Sequence, residues 1–302
     1  MSGPATIAYT PETAFREAPT EPTYKQPGRN ITVSELSLQN ELQRIRDPDD
    51  AQAIEAIAQI VEGALNIEWT LTDAEWEAIV FNSSGATTFE LGRAASSHWL
   101  VGIDYLDGTA DRALEGAIVT QAQLQYTQGG EFRLSLNLIY AAESTDVDIS
   151  AVAIEKPADD RTHMWHDASL SFPELSSVDC DKLQSVTLTI NTNARFQRGG
   201  DRHACDAVIG GVETTLTTSA IISEQTPERL QLAYGGLGET EPIDRLDATD
   251  ATLTLSIGDS PTSEYSLSKL KPDSVSWDDL VDPEADTQDS VEWVVPQIEV
   301  TT

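Results

Sequence analysis

The order of structural signals in residues 31–141 recurs in residues 184–300, and this repetition constrains the fold more than any single motif. Each segment opens with a strand in which apolar and polar residues alternate, at 33–38 and at 186–190. A Val-x-Gly corner, a second alternating strand, a short helix, a third strand region and a closing hairpin follow in both segments. We therefore interpret the chain as two related β domains in tandem that arose by internal duplication.

The matching positions differ in sequence but keep the same order of features. The corners are Val61-Glu62-Gly63 and Val208-Ile209-Gly210, and the short helices are predicted at 72–81 and 226–234. The second strands carry alternate residues at matching places, namely Leu65, Ile67, Trp69 and Leu71 in the first copy and Val212, Thr214 and Leu216 in the second. The fold class that follows is mainly β with a few helices.

A further helix is predicted over residues 48–61 of the first copy. Asp47 suits the N-cap, Pro48 suits the first helical position, and Gly63 suits the end of the helix. The apolar stripe of this helix would consist of Ile54, Ile57, Ala58 and Val61. The second copy has only residues 199–208 at this place, so we expect its helix to be shorter or absent.

The short helix after the second strand carries capping signals in both copies. Thr72 and Glu75 have the spacing of a capping box. In the second copy, Thr226 would cap the helix, Pro227 would occupy its first position and Gly235 would stop it.

The clearest strand signal is a hairpin over residues 117–141 that turns at 128–130. Alternate residues of both arms are expected to face a core, namely Ala122, Leu124, Tyr126, Phe132, Leu134, Leu136, Leu138 and Tyr140. The counterparts in the second copy are residues 273–277 and 291–300, where the turn has grown into an acidic loop at 278–289.

Composition predicts the domain boundaries. Residues 1–30 contain five prolines and are typical of an extended N-terminal arm, which we expect to become ordered against a neighbouring subunit. The first domain is then residues 31–142, the polar residues 143–162 form a linker, and the second domain is residues 163–302. With 39% hydrophobic residues in 302, each domain can bury a core.

The net charge is −33, from 51 acidic and 18 basic residues, and only five of the bases are lysines. Dispersed acid with few lysines is typical of proteins from organisms with molar internal salt, where the Debye length is about 3 Å and repulsion is screened. We therefore expect folding to depend on salt, with a melting temperature that differs between 0.1 M and 3 M KCl. The acidity also argues against nucleic-acid binding, which requires clustered Lys and Arg.

Neither secretion nor membrane insertion is predicted. The residues after Met1 have no charged segment followed by an apolar one, so a signal peptide is not expected. No apolar run approaches the 18 residues of a spanning helix. We expect a soluble protein that is made and used inside the cell.

Four segments resemble a known family. They are residues 61–65, residues 98–109, the stretch from Gly116 to Gly130, and residues 196–200 with the sequence Phe-Gln-Arg-Gly-Gly. Together they are similar to the major tail tube proteins of long-tailed, siphovirus-like viruses of bacteria and archaea. The resemblance covers most of residues 31–300, and the acidity makes a haloarchaeal virus the nearest match.

This resemblance implies two tail-tube-like β-sandwich or half-barrel domains, each with a flanking helix. In the family, six such domains close a β-barrel around a channel, and rings stack into a tube through which DNA is delivered. A chain with two domains would form homotrimer rings with pseudo-sixfold symmetry, although a hexamer that carries the second domain outside remains open. The implied location is the virion tail, assembled in the host cytoplasm. The implied partners are other copies of the chain, the tape measure protein and the tail terminator and distal tail proteins, with viral DNA passing without sequence-specific binding.

The negative net charge has a functional explanation in this interpretation. A channel lined by acidic and neutral polar groups would repel DNA phosphates, so that the genome could slide without binding. At molar salt the repulsion is short-ranged, so the absence of Lys and Arg from the lining matters more. A lining dense in arginine would contradict the hypothesis.

Two clusters could in principle bind metal. Zinc could be held by His163, His166, Cys180, His203 and Cys205, but their spacing matches no standard finger, so a loop entering the second domain is favoured. The acidic loop 278–289 could bind Ca²⁺, but it lacks the central Gly and final Glu of an EF-hand and is better explained as a solvated loop. We predict no metal site and no cofactor.

No catalytic motif is present, so an enzyme is not predicted. The glycines at 199–200 and 235–238 lack the context of a phosphate loop and are interpreted as turns. Trp69, Trp76 and Trp293 lie at positions that favour the core or an interface over a carbohydrate site. The alternative function is a tandem β-sandwich binding or adhesion module, or a capsid or surface-layer subunit of a halophile.

Overall fold

The computed structural model describes residues 5–46, 48–49, 52–81, 89, 92–158, 162–176, 182–257, 260–281 and 286–301. Its strands are β1 Ala5–Pro11, β2 Tyr24–Lys25, β3 Arg29–Gln39, β4 Leu42–Arg46, β5 Ala53–Ala58, β6 Glu62–Thr70, β7 Ser96–Tyr105, β8 Gly108–Thr127, β9 Arg133–Tyr140, β10 Ala142–Ser144, β11 Ile154–Glu155, β12 Ala168–Ser171, β13 Leu183–Asn191, β14 Arg195–Arg198, β15 Ala204–Val208, β16 Glu213–Ile221, β17 Thr249–Ile257, β18 Ser260–Asp278, β19 Gln288–Val295 and β20 Gln297–Thr301. The helices are α1 Glu77–Val80 and α2 Thr226–Tyr234, and short 3-10 helices lie at Ile149–Ala151 and Trp165–Asp167. The predicted mainly β fold is confirmed.

One curled sheet, which we call the main sheet, follows the order β3-β6-β9-β8-β13-β16-β19-β18. Four of its strands come from the first half of the chain and four from the second. The spatial order is the same within each half, namely β3-β6-β9-β8 in the first and β13-β16-β19-β18 in the second. In both halves the long strand lies fourth, beside the strand that follows it in the chain. All neighbours in this order are antiparallel.

Each half carries a second strand group that is reached through its long strand. In the first half, β8 also pairs with β7 and β10, and β7 pairs with β1. In the second half, β18 also pairs with β17 and β20, and β17 pairs with β12. Apolar residues of the main sheet and of both groups share one buried cluster, which includes Leu65, Trp99, Leu216 and Tyr265. The long strands therefore connect two strand groups around one core.

The two halves are joined by strand pairing between β8 and β13. This antiparallel ladder, which we call the internal seam, extends from Gln121 opposite Asn191 to Thr127 opposite Ser185. On its core side Leu124 lies opposite a leucine of β13, and both are buried. The halves therefore share a continuous main sheet and a common hydrophobic core.

The helix predicted over residues 48–61 is wrong, because this segment contributes to a β-hairpin. Strands β4 and β5 pair antiparallel, and Pro48 and Asp49 lie in the turn between them. A proline flanked by acidic residues favours a tight turn as well as a helix start. The two isoleucines of the expected apolar stripe have no core beneath them, since Ile54 is 57% and Ile57 is 40% exposed, whereas Val61 of the same stripe is buried. A second hairpin, β14–β15, occupies the corresponding place in the second half, so the halves agree where a difference was predicted.

The two short helices differ in how well they were predicted. Helix α2 has the predicted bounds and ends at Gly235, whose φ of 149° is accessible to glycine. The predicted cap is wrong, because Gln225 is the N-cap and Thr226 is already the first residue of the helix. Helix α1 is a single turn and is shorter than the predicted 72–81. The capping box is wrong, because the Thr72 hydroxyl donates to Asp73 at 3.0 Å and Asp73 accepts a bond from the backbone N–H of Glu75. Local side-chain bonds of this kind compete with a helix start.

The hairpin predicted over residues 117–141 is confirmed as the second part of β8 paired with β9. All the residues expected to face a core from this hairpin are buried, and so are Trp69, Trp76 and Trp293. The counterpart in the second half is β18 paired with β19.

The proline-rich N-terminal segment packs on its own chain. Strand β1 pairs with β7 along its whole length, and β2 pairs with β1. Part of the expected linker also belongs to the sheet, because β10 pairs with β8 and β11 pairs with β2. Both segments therefore extend the second strand group of the first half.

Candidate functional site

The face of the main sheet opposite the core is polar along its central rows. Successive residues of a strand point to opposite faces, so this surface, which we call the polar face, alternates with the buried positions. Its central rows consist of Asn66, Glu68, Arg133, Ser135, Asn137, Gln121, Gln123, Gln125, Thr187, Thr189, Asn191, Glu213, Thr215, Thr217, Ser219, Ser290, Glu292 and Ser276. Amides and hydroxyls therefore dominate the surface that the curled sheet presents.

Side-chain amides on the polar face are bonded to one another across the strands. The amide of Asn137 donates to the carbonyl oxygen of Gln121 at 2.8 Å, and Gln121 donates to Asn191 at 2.9 Å. One row below, Gln123 donates to the hydroxyl of Thr189 at 3.3 Å. The bonds from Gln121 to Asn191 and from Gln123 to Thr189 cross the internal seam, so the polar face is continuous from one half to the other.

Charge on the polar face is sparse and mainly negative. Among the described residues of its strands, the acids are Glu35, Glu62, Glu68, Glu213, Glu292 and Asp278, and the bases are Arg29, Arg133 and Lys271. Arg133 forms an ion pair with Glu68 at 2.9 Å. A surface of this kind offers phosphate groups few cationic partners.

The main sheet ends in two unpaired edges within the described part of the chain. At one end β3 pairs only with β6, and at the other end residues 271–278 of β18 pair only with β19. Apolar side chains at these edges remain exposed, with Leu38 at 39% and Trp277 at 43%. Unpaired edges with exposed apolar groups are sites where another chain can add a strand.

The two hairpins differ in what covers them. Hairpin β14–β15 packs on its own chain, with Ala204 and Ala207 buried and Arg198 donating to the carbonyl of Val61 at 3.2 Å. Hairpin β4–β5 is exposed along both strands, including Leu42 and the isoleucines noted above. Equivalent elements of the two halves therefore have different surroundings in a single chain.

A buried ion pair supports the edge formed by β18. Arg229 of α2 donates to a carboxylate oxygen of Asp289 at 2.6 Å, and the two side chains are 8% and 1% exposed. Asp289 lies directly opposite Trp277 in the β18–β19 ladder. The sequence interpretation placed Asp289 in a solvated acidic loop, since nothing in a run of acids marks one of them as buried. Residues 282–285 of that loop lie outside the described residues.

A second buried contact joins the two halves. The hydroxyl of Tyr265 on β18 donates to Glu77 of α1 at 2.6 Å. Burial raises the pKa of Glu77, and burial followed by the nearby Glu77 charge raises the pKa of Tyr265. Sequence reasoning missed this contact because Glu77 has the spacing of an exposed helical acid.

The residues considered as zinc ligands are not brought together where they can be located. His163 is buried, His166 and Cys205 are exposed, and His203 lies between these extremes. Cys180 lies outside the described residues. Among the described residues, no group of three or more His, Cys, Asp and Glu side chains could hold a metal ion.

Comparison with known families assigns this architecture. The sequence profile of the phage tail tube proteins matches residues 5–295. The chain belongs to the phage tail tube protein family. No curated protein matches the sequence of this tail tube protein. The resemblance to tail tube proteins is thereby confirmed.

As a tail tube protein, the chain has a structural role in the virion tail and self-assembles into a tube with other tail proteins. The features that matter for such a role are the polar face, the two unpaired edges and the exposed hairpin. No helix in the described part of this tail tube protein has the length and apolar character needed to cross a membrane.

Proposed function

We propose that three copies of this tail tube protein form a ring in which the main sheets join edge to edge. The polar face then lines a central channel through which viral DNA passes, and rings stack to form the tube. The observation that carries the proposal is the curled main sheet, which has two unpaired edges and an internal seam between corresponding halves. On this view the halves arose by duplication, and each supplies one of six related units in the ring.

The size of the closed barrel supports three copies. Strands lie about 4.8 Å apart and tilt by about 40° in closed barrels, so about 24 strands give a circumference of about 150 Å. The backbone diameter is then about 48 Å, which leaves a channel of about 40 Å after side chains are added. Two copies would give about 32 Å before side chains are added, and six would give about 96 Å. Three copies therefore leave room for a hydrated DNA duplex without an excessive gap.

The arrangement of the second half also supports a trimer over a hexamer with an outer decorating domain. Both halves contribute equal numbers of strands to the same main sheet, and hydrogen bonds between side-chain amides of the polar face connect them. A decorating domain would instead have its own sheet, with no ladder to the first half.

The chemistry of the polar face supports passage of DNA without retention. Binding to DNA phosphates requires free Lys or Arg groups, which displace counterions. On the central rows Arg133 is paired with Glu68, and the other groups are amides, hydroxyls and acids. The polar groups keep the wall wet, and the scarcity of cationic partners keeps the DNA mobile.

The wider setting follows from family and composition. The net charge of −33 and the scarcity of lysine support a haloarchaeal host. The tail tube family supports a tailed virus, and we place this virus in the long-tailed, siphovirus-like group, with assembly in the host cytoplasm. The expected partners are the tape measure protein inside the tube and the terminator and distal tail proteins at its ends.

The test is electron microscopy and mass measurement of the purified chain in 3 M KCl. Stacked rings with a central hole of about 40 Å and three chains per ring are expected. A monodisperse monomer under all salt conditions would contradict the tube, whereas rings of six chains would contradict the trimer alone.

A further inference from the structure

We propose that the contact between neighbouring chains repeats the internal seam in the same register, so that Ser37 of one copy lies opposite Ser276 of the next. This inference rests on the proposed ring and specifies the partner surface, which is a second copy of this chain. Within the chain β8 pairs with β13, and the corresponding strands β18 and β3 are the two that end the main sheet unpaired.

The correspondence between β3 and β13 follows from their ladders. Strands β6 and β16 begin at Glu62 and Glu213 and pair with β9 and β19 in the same register, so Leu65 corresponds to Leu216 and not, as the sequence pattern suggested, to Val212. Leu36 of β3 pairs with Leu65 of β6, and Leu188 of β13 pairs with Leu216 of β16. Counting one residue further along each ladder, Ser37 corresponds to Thr189.

The correspondence between the long strands is fixed by a shared irregularity. The register of β8 against β9 shifts between Val119 and Gln121, and the register of β18 against β19 shifts between Pro272 and Ser274. A bulge at the same place in both long strands aligns Gln121 with Ser274. Two residues further on, Gln123 corresponds to Ser276.

Transferring the internal seam to the outer edges then gives a definite register. Thr189 lies opposite Gln123 in the internal seam, so Ser37 lies opposite Ser276 of the next copy. The facing pairs on either side of this one are Glu35 with Asp278, Leu36 with Trp277, Leu38 with Val275, and Gln39 with Ser274.

The burial of corresponding residues supports this register. The core-side residues of the internal seam, Leu124 and Leu188, are buried. Their counterparts at the edges are Trp277, which is 43% exposed, and Leu36, which is only partly buried. The proposed ladder places these two side chains opposite each other, so that each covers the exposed apolar surface of the other.

The same transfer accounts for the exposed hairpin. Hairpin β14–β15 covers part of the first half, where Ala207, Ile118 and Ile139 belong to one apolar cluster. The residue of the second half that corresponds to Ile139 is Val294, which is 45% exposed. Hairpin β4–β5 of a neighbouring copy would cover this site, because it precedes β6 as β14–β15 precedes β16.

Disulfide cross-linking tests the register. A disulfide requires Cα atoms about 4.4–6.8 Å apart, and directly opposite residues of an antiparallel ladder lie about 4.5–5.5 Å apart. A shift of two residues raises this to about 8 Å, from the strand rise of about 3.4 Å per residue. In a chain whose native cysteines are replaced by Cys180→Ser and Cys205→Ser, the pairs S37C with S276C and Q39C with S274C are expected to cross-link between chains on mild oxidation.

Recombining the same four substitutions gives the matched controls. The off-register pairs, S37C with S274C and Q39C with S276C, are expected to cross-link at least tenfold less than the in-register pairs. The pair Q123C with T189C, which lies opposite in the internal seam, is the positive control and forms its bond within one chain. Mixing S37C chains with S276C chains is expected to give only mixed dimers, because each chain then has one cysteine at a seam.

The outcomes separate this inference from the proposed function. Rings whose in-register pairs stay reduced while an off-register pair cross-links would overturn the register and leave the tube standing. In-register cross-links in a covalent series that continues to six chains would support the register and contradict the trimer. The absence of rings for the cysteine-free chain under every salt condition would contradict the proposed function itself.

Discussion

Removal of the guanidinium of Arg229 should destabilise the fold strongly. The ion pair with Asp289 is buried, and Asp289 Oδ2 has no hydrogen-bond partner among the described residues, so this carboxylate depends on one strong contact at 2.6 Å. Replacing Arg229 by Met leaves an unpaired buried charge, which costs about 3–5 kcal/mol of the free energy of unfolding. For a chain of this size the loss corresponds to a fall in melting temperature on the order of 10 °C.

The double variant R229M/D289L separates the charge effect from packing. Exchanging a buried ion pair for apolar groups of similar volume is often close to neutral, so we expect most of the lost stability to return. Both variants are compared with the parent chain by circular dichroism melting in 3 M KCl, because a buried pair is little affected by salt. A loss below about 1 kcal/mol in the single variant, or an equal loss in both, would refute the reasoning.

Three further expectations concern pH, salt and assembly. Burial lowers the pKa of His163 below its usual 6.5, so the folded state resists protonation of this side chain. As the pH falls below 6.5, the unfolded chain takes up the proton first, and the free energy of unfolding therefore decreases. His163→Gln should flatten the melting temperature between pH 6.5 and pH 5, and an unchanged pH slope in this variant would contradict the assignment. Glu35→Gln should lower the KCl concentration needed for ring formation, because it removes about 1 kcal/mol of repulsion across each boundary at low ionic strength. Light scattering measures this concentration, and the matched control is Glu292→Gln on a central strand. An equal shift in both variants would refute the prediction. Ile54→Ser in the exposed hairpin should leave the melting temperature of the unassembled chain nearly unchanged but weaken assembly in sedimentation, and normal tubes from this variant would show that the hairpin is not an interface.

The strands of the hairpin over residues 117–141 were predictable because one face is buried. Alternation of apolar and polar residues is strong there, and the pattern of a half-buried strand is local. The polar face could also be predicted in outline, since it is the complement of that alternation. The hydrogen bond between the side-chain amides of Gln121 and Asn191 was not predictable, because it joins strands from different halves of the chain.

The hairpin β4–β5 was not predictable from the same kind of signal. Its isoleucines cover no core of their own chain, so their spacing carries no information about a buried face, and a helical period fitted them by chance. The comparison with residues 195–208 could have corrected this, because corresponding segments of a repeat should share one structure. The ion pair of Arg229 with Asp289 was not predictable for another reason, since no local sequence signal distinguishes one buried acid from many exposed ones.

The internal seam and the proposed contact between chains differ in charge, and this difference gives the acidic residues a specific role in assembly. On the proposed register, neutral Thr187 and Gln125 face each other in the internal seam, whereas Glu35 and Asp278 occupy the corresponding places between chains. Like charges opposite each other weaken a ladder, and this penalty is screened when the Debye length falls to about 3 Å in molar salt. The internal seam, which holds the fold together, therefore carries no such penalty at this position, and the penalty falls only on the boundary between chains. A chain with this distribution of acids can complete its own sheet before it joins others, so that salt controls ring closure more sharply than it controls folding.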